Sequence, residues 1–166
     1  MKIEIGGGNS PVEGFEQLEC RWGYEPLPLE DESVDELYAS HVIEHIPWWL
    51  SQQAIDDAHR VLKVGGTLEV HTVDFRYLTK QYLNGLRADD WTARGHNPDL
   101  DSFLSIASRI FSVGDEDKRN WHRAIFDREY LDRLFSSAGF VDLIRPDWPL
   151  GRQKHGPINI GIRGVK

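Results

Sequence analysis

The sequence predicts an α/β fold: an open, mostly parallel sheet with helices, finished by an antiparallel strand near the C-terminus. Three observations predict it. A short apolar strand pattern, Lys2–Ile5, runs straight into three glycines, Gly6–Gly8. A strand pattern at Asp35–Ala39, an amphipathic segment at Ser51–Lys63 and a second strand pattern at Thr67–Val73 follow one another in that order. Two last strand patterns, Phe140–Arg145 and Ile158–Arg163, are joined by a loop rich in proline and glycine and without a helix. Strands joined without a helical crossover pair antiparallel, whereas strand–helix–strand units give right-handed crossovers and parallel pairs.

Taken in order, Lys2–Ile5 is the first strand and Glu16–Cys20 the second. Between Gly8 and Val34 there is little room for two crossover helices, so the sheet is expected to be trimmed around its second and third strands. Ser51–Lys63 places Ala54, Ile55, Ala58, Val61 and Leu62 on one helical face, and Gly65-Gly66 is expected to stop that helix. Residues 75–121 read as an inserted cap over the carboxyl edge of the sheet. The insert has an amphipathic piece at Tyr77–Leu86 and a turn-rich link at Arg87–Asn97. A helix then starts at Pro98, with Leu100, Phe103, Leu104, Ala107, Ile110 and Phe111 as its apolar face. Asp127 has the chemistry of an N-cap for a helix carrying Tyr130, Leu131, Leu134, Phe135 and Ala138, closed by Gly139.

The chain of 166 residues is the size of one domain, and 1–166 is read as such. No apolar run reaches the length of a membrane span, and the N-terminus enters a strand pattern at once, so neither membrane insertion nor a signal peptide is expected. A single cysteine, Cys20, excludes an intramolecular disulfide and a cysteine-rich metal site, which favours a reducing cytoplasm. The formal net charge of −8 weighs against nucleic acid as a partner, though a single pocket can still be locally basic.

Three glycines after a strand permit positive φ angles and let a ligand lie against the backbone, at the end of the sheet where α/β folds bind ligands. A dinucleotide fingerprint needs a third spaced glycine, and Pro11 stands in its place. The pattern His41-x-x-Glu44-His45 matches the inverted zinc-protease motif as a string. Pro47 limits any helix there to about one turn, whereas that motif needs both histidines on one helical face. No metal is therefore expected, and a metal-dependent hydrolase built on His41, Glu44 and His45 is retained only as a rival.

Three segments carry a family resemblance: Lys2–Pro11, Leu27–His45 and His59–Val70. In this order and spacing they resemble the class I S-adenosylmethionine (SAM)-dependent methyltransferases, in particular the type 11 group of small domains. The resemblance implies a Rossmann-like class I methyltransferase sheet, with SAM as cofactor and S-adenosylhomocysteine (SAH) as product. It implies that Glu4 occupies the acidic position of the first motif and that Gly6, Gly7 and Gly8 pass beneath the amino-acid part of SAM. Glu19 falls where the family places the carboxylate for the ribose hydroxyls, and Ser40 and His41 fall near the methionyl part. Many members carry an Asp-Ala pair for adenine where this chain has Gly23-Tyr24, so the resemblance implies adenine held instead by backbone groups and by stacking on Tyr24 or Trp22.

An oxygen or nitrogen nucleophile needs a general base, and histidine suits that role near neutral pH. His45, His41 and His122 are the candidates, in that order; His71, inside a strand pattern, reads as structural. Trp48, Trp49, Trp91 and Trp121 could wall an acceptor site or simply fill the core. Asp74 lies at the edge that would face an acceptor. The expected acceptor is a small molecule, and a homodimer would cover the shortened sheet edge. A further rival is a SAM-fold scaffold without catalysis, because the missing first crossover helix would normally help seat the cofactor.

Overall fold

The computed structural model describes residues 1–8, 11–86, 101–111, 121–150 and 156–166. In chain order it contains β1 (Lys2–Ile5), β2 (Glu16–Leu18), β3 (Val34–Ser40), α1 (Ser51–Val61), β4 (Leu62–Val73), α2 (Phe75–Leu83) and α3 (Ser102–Phe111). It ends with α4 (Arg128–Ala138), β5 (Val141–Ile144) and β6 (Asn159–Val165). The six strands form one sheet in the order β2-β1-β3-β4-β6-β5. The pairs β1–β2, β1–β3 and β3–β4 are parallel, and β6 runs antiparallel to both β4 and β5. This is the predicted sheet, trimmed where the short stretch before Val34 leaves no room for crossover helices.

The two faces of the sheet differ in chemistry. Ile3, Leu37 and Leu68 share one rung, and Ile5, Ala39, Val70 and Ile162 another. This face forms the core together with Ala54, Ile55, Ala58 and Val61 of α1 and Leu131, Leu134 and Phe135 of α4. The intervening rung is polar, Glu4–Tyr38–Glu69–Arg163. Because side chains alternate along a strand, these residues point to the opposite face. That face is roofed by chain segments: the Phe15 ring packs 5.9 Å from Tyr38, and the Tyr38 hydroxyl donates to the Leu150 carbonyl at 3.3 Å.

Burial pushes the Tyr38 phenol up to about 12. In the unfolded chain it ionises near 10, so its contribution to stability is complete below that pH and is lost as the pH rises through about 12. Urea midpoints measured across this window should fall in the wild type and fall less in Tyr38→Phe. Equal slopes for the two proteins would refute this account of the polar face.

Several local expectations change. Helix α1 ends at Val61, and Gly65-Gly66 lie inside β4, where the strand register shifts between Val34 and Glu36 opposite. The glycines therefore make an irregularity in a strand and do not cap a helix. Asp127 does cap α4, accepting from the Tyr130 amide at 2.8 Å, and Gly139 closes it at φ 99°. Asp74 likewise caps α2, accepting from the Arg76 amide at 2.9 Å. Of the apolar stripe expected on α3, Phe103, Leu104 and Phe111 are exposed and Ile110 is partly buried; it packs against a small second cluster formed by Leu78 of α2 and Ile106, which lies outside the expected stripe. Pro98, Leu100 and the link Arg87–Asn97 lie outside the described residues.

Candidate active site

The glycine turn stands at the carboxyl end of β1 on a buried carboxylate. Glu4 Oε2 accepts from the Val12 amide at 2.8 Å, and Gln17 Nε2 donates to the Gly8 carbonyl at 3.0 Å. A Cβ on Gly7 would come within 2.6 Å of Glu4 Cδ and 2.4 Å of Gln17 Nε2. A Cβ on Gly8, which has φ +54°, would meet no atom within 4 Å. Gly7 is thus packed against its supports, and Gly8 borders open space. Glu4 and Gln17 hold the loop from beneath; Glu4 is marked by its place in the first motif, whereas nothing local in the sequence marks Gln17.

Glu19 and Tyr24, expected near ribose and adenine, are both exposed. The Arg21 guanidinium lies 5.0 Å over the Tyr24 ring, and Arg123 Nη1 donates to the Tyr24 hydroxyl at 2.5 Å. Trp22, the other stacking candidate, is a core residue: it is 2% exposed and donates its indole N–H to the Ala54 carbonyl at 3.0 Å. Of the two, Tyr24 is the one with an exposed ring.

At the carboxyl end of β3 the chain turns through His41, whose φ of +55° is rare for a side chain with a Cβ. A hydrogen-bond network fixes that turn. His41 Nδ1 donates to Glu44 Oε1 at 2.9 Å, and its Nε2 donates to Asn159 Oδ1 at 3.1 Å. Asn159 Nδ2 donates to His71 Nδ1 at 3.0 Å, and His71 Nε2 donates to Glu69 Oε1 at 2.8 Å. Thr72 Oγ1 donates to the other Glu44 oxygen at 3.0 Å. Asn159 and Thr72 escaped the sequence reading. The available signal was a polar residue at the end of an otherwise apolar strand pattern, which identifies no partner.

Glu44 is buried. Burial alone would raise its pKa, but the charge and hydrogen bond of His41, with His45 and His122 behind it, outweigh burial and hold the carboxyl at about 2. Its backbone carbonyl accepts from the Arg123 and Ala124 amides at 2.7 and 3.2 Å, which brings the segment before α4 to the site. His122 therefore meets His45 edge to face at 5.0 Å between ring centroids. His45 Nδ1 donates to the Trp121 carbonyl at 3.3 Å, and His122 Nδ1 to the Arg109 carbonyl at 3.1 Å. Each imidazole so anchored keeps its lone pair on Nε2. Burial lowers the His122 pKa, favouring that neutral form.

Glu44, His45 and His122 each place a potential ligand atom within 4.8 Å of the others, the grouping among the described residues that could hold a metal. Both Glu44 oxygens already accept hydrogen bonds, so the cluster reads as proton-handling chemistry. The inverted zinc-protease arrangement is not assembled, because both His41 nitrogens are committed to Glu44 and Asn159. His41 accordingly reads as a structural member of the network and not as a free base.

A narrow pocket beside this cluster is lined by Glu44, Thr72, Leu78, Arg109, Ile110 and His122, with α2 and α3 forming its outer wall. Trp48 and Trp49 are 63% and 65% exposed and pack on each other, so they fill no core. Trp121 is about half exposed next to His45, and Trp91 lies outside the described residues.

Residues 14–70 match a methyltransferase-domain family profile, a span that starts after the glycine turn and includes the His41–His45 segment. In fold, the chain is similar to a SAM-dependent methyltransferase of Thermotoga maritima, described as a possible histamine N-methyltransferase. The TM-score is 0.57 with 22% identity, over 99% of this chain and 81% of that one. It is also similar to a SAM-dependent methyltransferase of Archaeoglobus fulgidus, at TM-score 0.56 and 12% identity, over 92% of this chain and 68% of the other. No curated protein sequence matches the chain. No helix among the described residues is long and apolar enough to cross a membrane.

Proposed function

We propose, from the premise of a class I methyltransferase fold with the type 11 methyltransferase signature over residues 14–70, that the chain is a SAM-dependent methyltransferase acting on a small acceptor. The observation that carries this reading is the glycine turn on buried Glu4, open at Gly8, beside the His41–His45 segment. The residues present fit the cofactor. Gly8 leaves its Cβ space empty beside the turn, where a bound group can approach the backbone. SAM, when bound, supplies a methyl group already activated on a sulfonium.

The protein's own contribution is then to position the acceptor and manage its proton. His45 is the group for the proton: its Nδ1–H is held by the Trp121 carbonyl and its Nε2 lone pair can accept from an O–H or N–H nucleophile. Glu44, ionised beside it, stabilises the imidazolium that results. Glu19 and Tyr24 serve ribose and adenine from the exposed rim.

SAH calorimetry tests the cofactor site. A one-to-one isotherm is expected, with about 2.7 kcal/mol of stabilisation at a hundred times the dissociation constant. In Gly8→Val the new side chain meets no protein atom at its Cβ, so loss of SAH heat reports occupied ligand space. The positive φ adds a folding cost on the order of 1 kcal/mol. A thermal melt of the unliganded variant measures that cost separately. Full SAH affinity in Gly8→Val, or no SAH heat with the wild type, would overturn the reading. The linkage of β1 to β2 without a helix favours one other outcome, a scaffold that binds SAH and never turns over; it would show as SAH heat without methyl transfer to any acceptor.

A further inference from the structure

A second groove lies on the opposite flank of the site, where β5 and β6 meet the start of α4. It holds about 410 Å³, and its walls include Arg128, Arg145, Asp147, Trp148, Asn159 and Gly161. Arg145 is ion-paired with Asp132 and also donates to the Ile144 carbonyl at 3.2 Å. Arg128 makes no hydrogen bond or ion pair among the described residues, and its charge joins burial in lowering the pKa of Arg145. Two arginines therefore line one groove; Asp132 pairs with Arg145 from outside its lining, and Asp147 is the carboxylate within it. An anion placed there would relieve their repulsion and accept bidentate hydrogen bonds.

The remaining walls suit a hydroxylated ring. Trp148 is 58% exposed and presents an apolar face of the size of a sugar ring. Asp147 is exposed and can accept hydrogen bonds from hydroxyl groups. Asn159 connects the groove to the reaction edge, since it lines the groove and accepts from His41 at 3.1 Å. Gly161 lets the His71 ring and the Pro146 carbonyl pack directly on the strand: a Cβ there would strike them at 2.6 and 2.7 Å.

We propose that this groove binds the methyl acceptor and that the acceptor is a sugar bearing an anionic group, with Arg128 and Arg145 on the anion, Trp148 on the ring and Asp147 on the hydroxyls. The assignment of the ligand as acceptor rests on the methyltransferase reading; the binding chemistry of the groove does not. A chain of net charge −8 gains a locally basic anchor at the one place where its substrate would need it.

The test is calorimetry on SAH-saturated protein with three probes: glucose 1-phosphate, glucuronate and uncharged glucose. The phosphate or the carboxylate probe, or both, should bind at least about tenfold more tightly than glucose, and the comparison of the two says which anion the arginines select. Arg128→Gln should weaken the charged probes by roughly 10- to 100-fold and Trp148→Leu all three, with SAH affinity unchanged in both variants. Equal binding of charged and uncharged probes, absence of binding by all, or an Arg128→Gln variant that binds like the wild type would overturn the proposal. SAH is titrated separately, so a protein that binds SAH but none of the probes refutes the groove alone. One that binds the charged probes but not SAH refutes the methyltransferase reading and leaves the groove an anion–sugar site.

Discussion

Glu44→Gln is expected to lower stability by about 3–5 kcal/mol, the cost of removing one member of a buried ion pair. Glu44 is 1% exposed, and its two oxygens serve His41 and Thr72 from inside the protein. An amide has one acceptor oxygen in place of two. Its NH₂ would face either the His41 N–H or the Thr72 hydroxyl, and in the first case two donors oppose each other. The strained turn at His41 depends on that hydrogen bond, so the loss should spread to the end of β3. Urea denaturation measures the effect. Thr72→Val, which removes a neutral hydroxyl partner, should cost only about 1 kcal/mol. Similar losses for the two variants would mean that Glu44 is not charged in the folded protein, and the network would have to be redrawn.

His45→Ala should reduce the turnover of an accepted substrate by about 10²- to 10⁴-fold, the usual contribution of a positioned general base. SAH affinity should stay within about twofold, because the ring is assigned to the proton of the acceptor and not to holding the cofactor. The comparison with His122→Ala separates direct from indirect action. His122 touches His45 edge to face and is anchored to the Arg109 carbonyl, so its removal should lower turnover less than removal of His45. The pH–rate profile adds a readout that packing alone would not move: the acidic limb of kcat/KM, the fall in rate as the base protonates, should disappear in His45→Ala and persist in His122→Ala. A His45→Ala enzyme with wild-type turnover would remove the base from the mechanism and leave alignment as the protein's contribution.

Much of this protein was legible before any coordinates. Strand–helix–strand spacing named β3, α1 and β4 and their parallel pairing, because apolar periodicity and connection length are local properties of the chain. Asp127 and Gly139 marked α4, since capping depends on residues three or four apart. The short stretch before Val34 foretold the absence of crossover helices among the described residues, and the glycines marked the turn that ends β1. Where local signals misled, a longer-range contact had won. Gly65-Gly66 looked like a helix stop, yet β4 begins at Leu62 because that residue already pairs with Val34. Trp22 looked like a stacking platform, yet its indole is tied to the Ala54 carbonyl, 32 residues away.

The sequence by itself determined the elements, their order and the residue types at the carboxyl edge. Their hydrogen-bond partners are set only in the tertiary structure. His41, Glu44, His45 and His122 are four polar residues in the sequence, and nothing local separates a base from a brace. Asn159, 118 residues from His41, commits one histidine to the network, and the Trp121 carbonyl, 76 residues from His45, anchors another with its lone pair free. The physical reason is that a titratable group's role is set by which donors, acceptors and charges lie within a few ångströms. In a sheet whose neighbouring strands are far apart in sequence, those partners come from everywhere but the local chain.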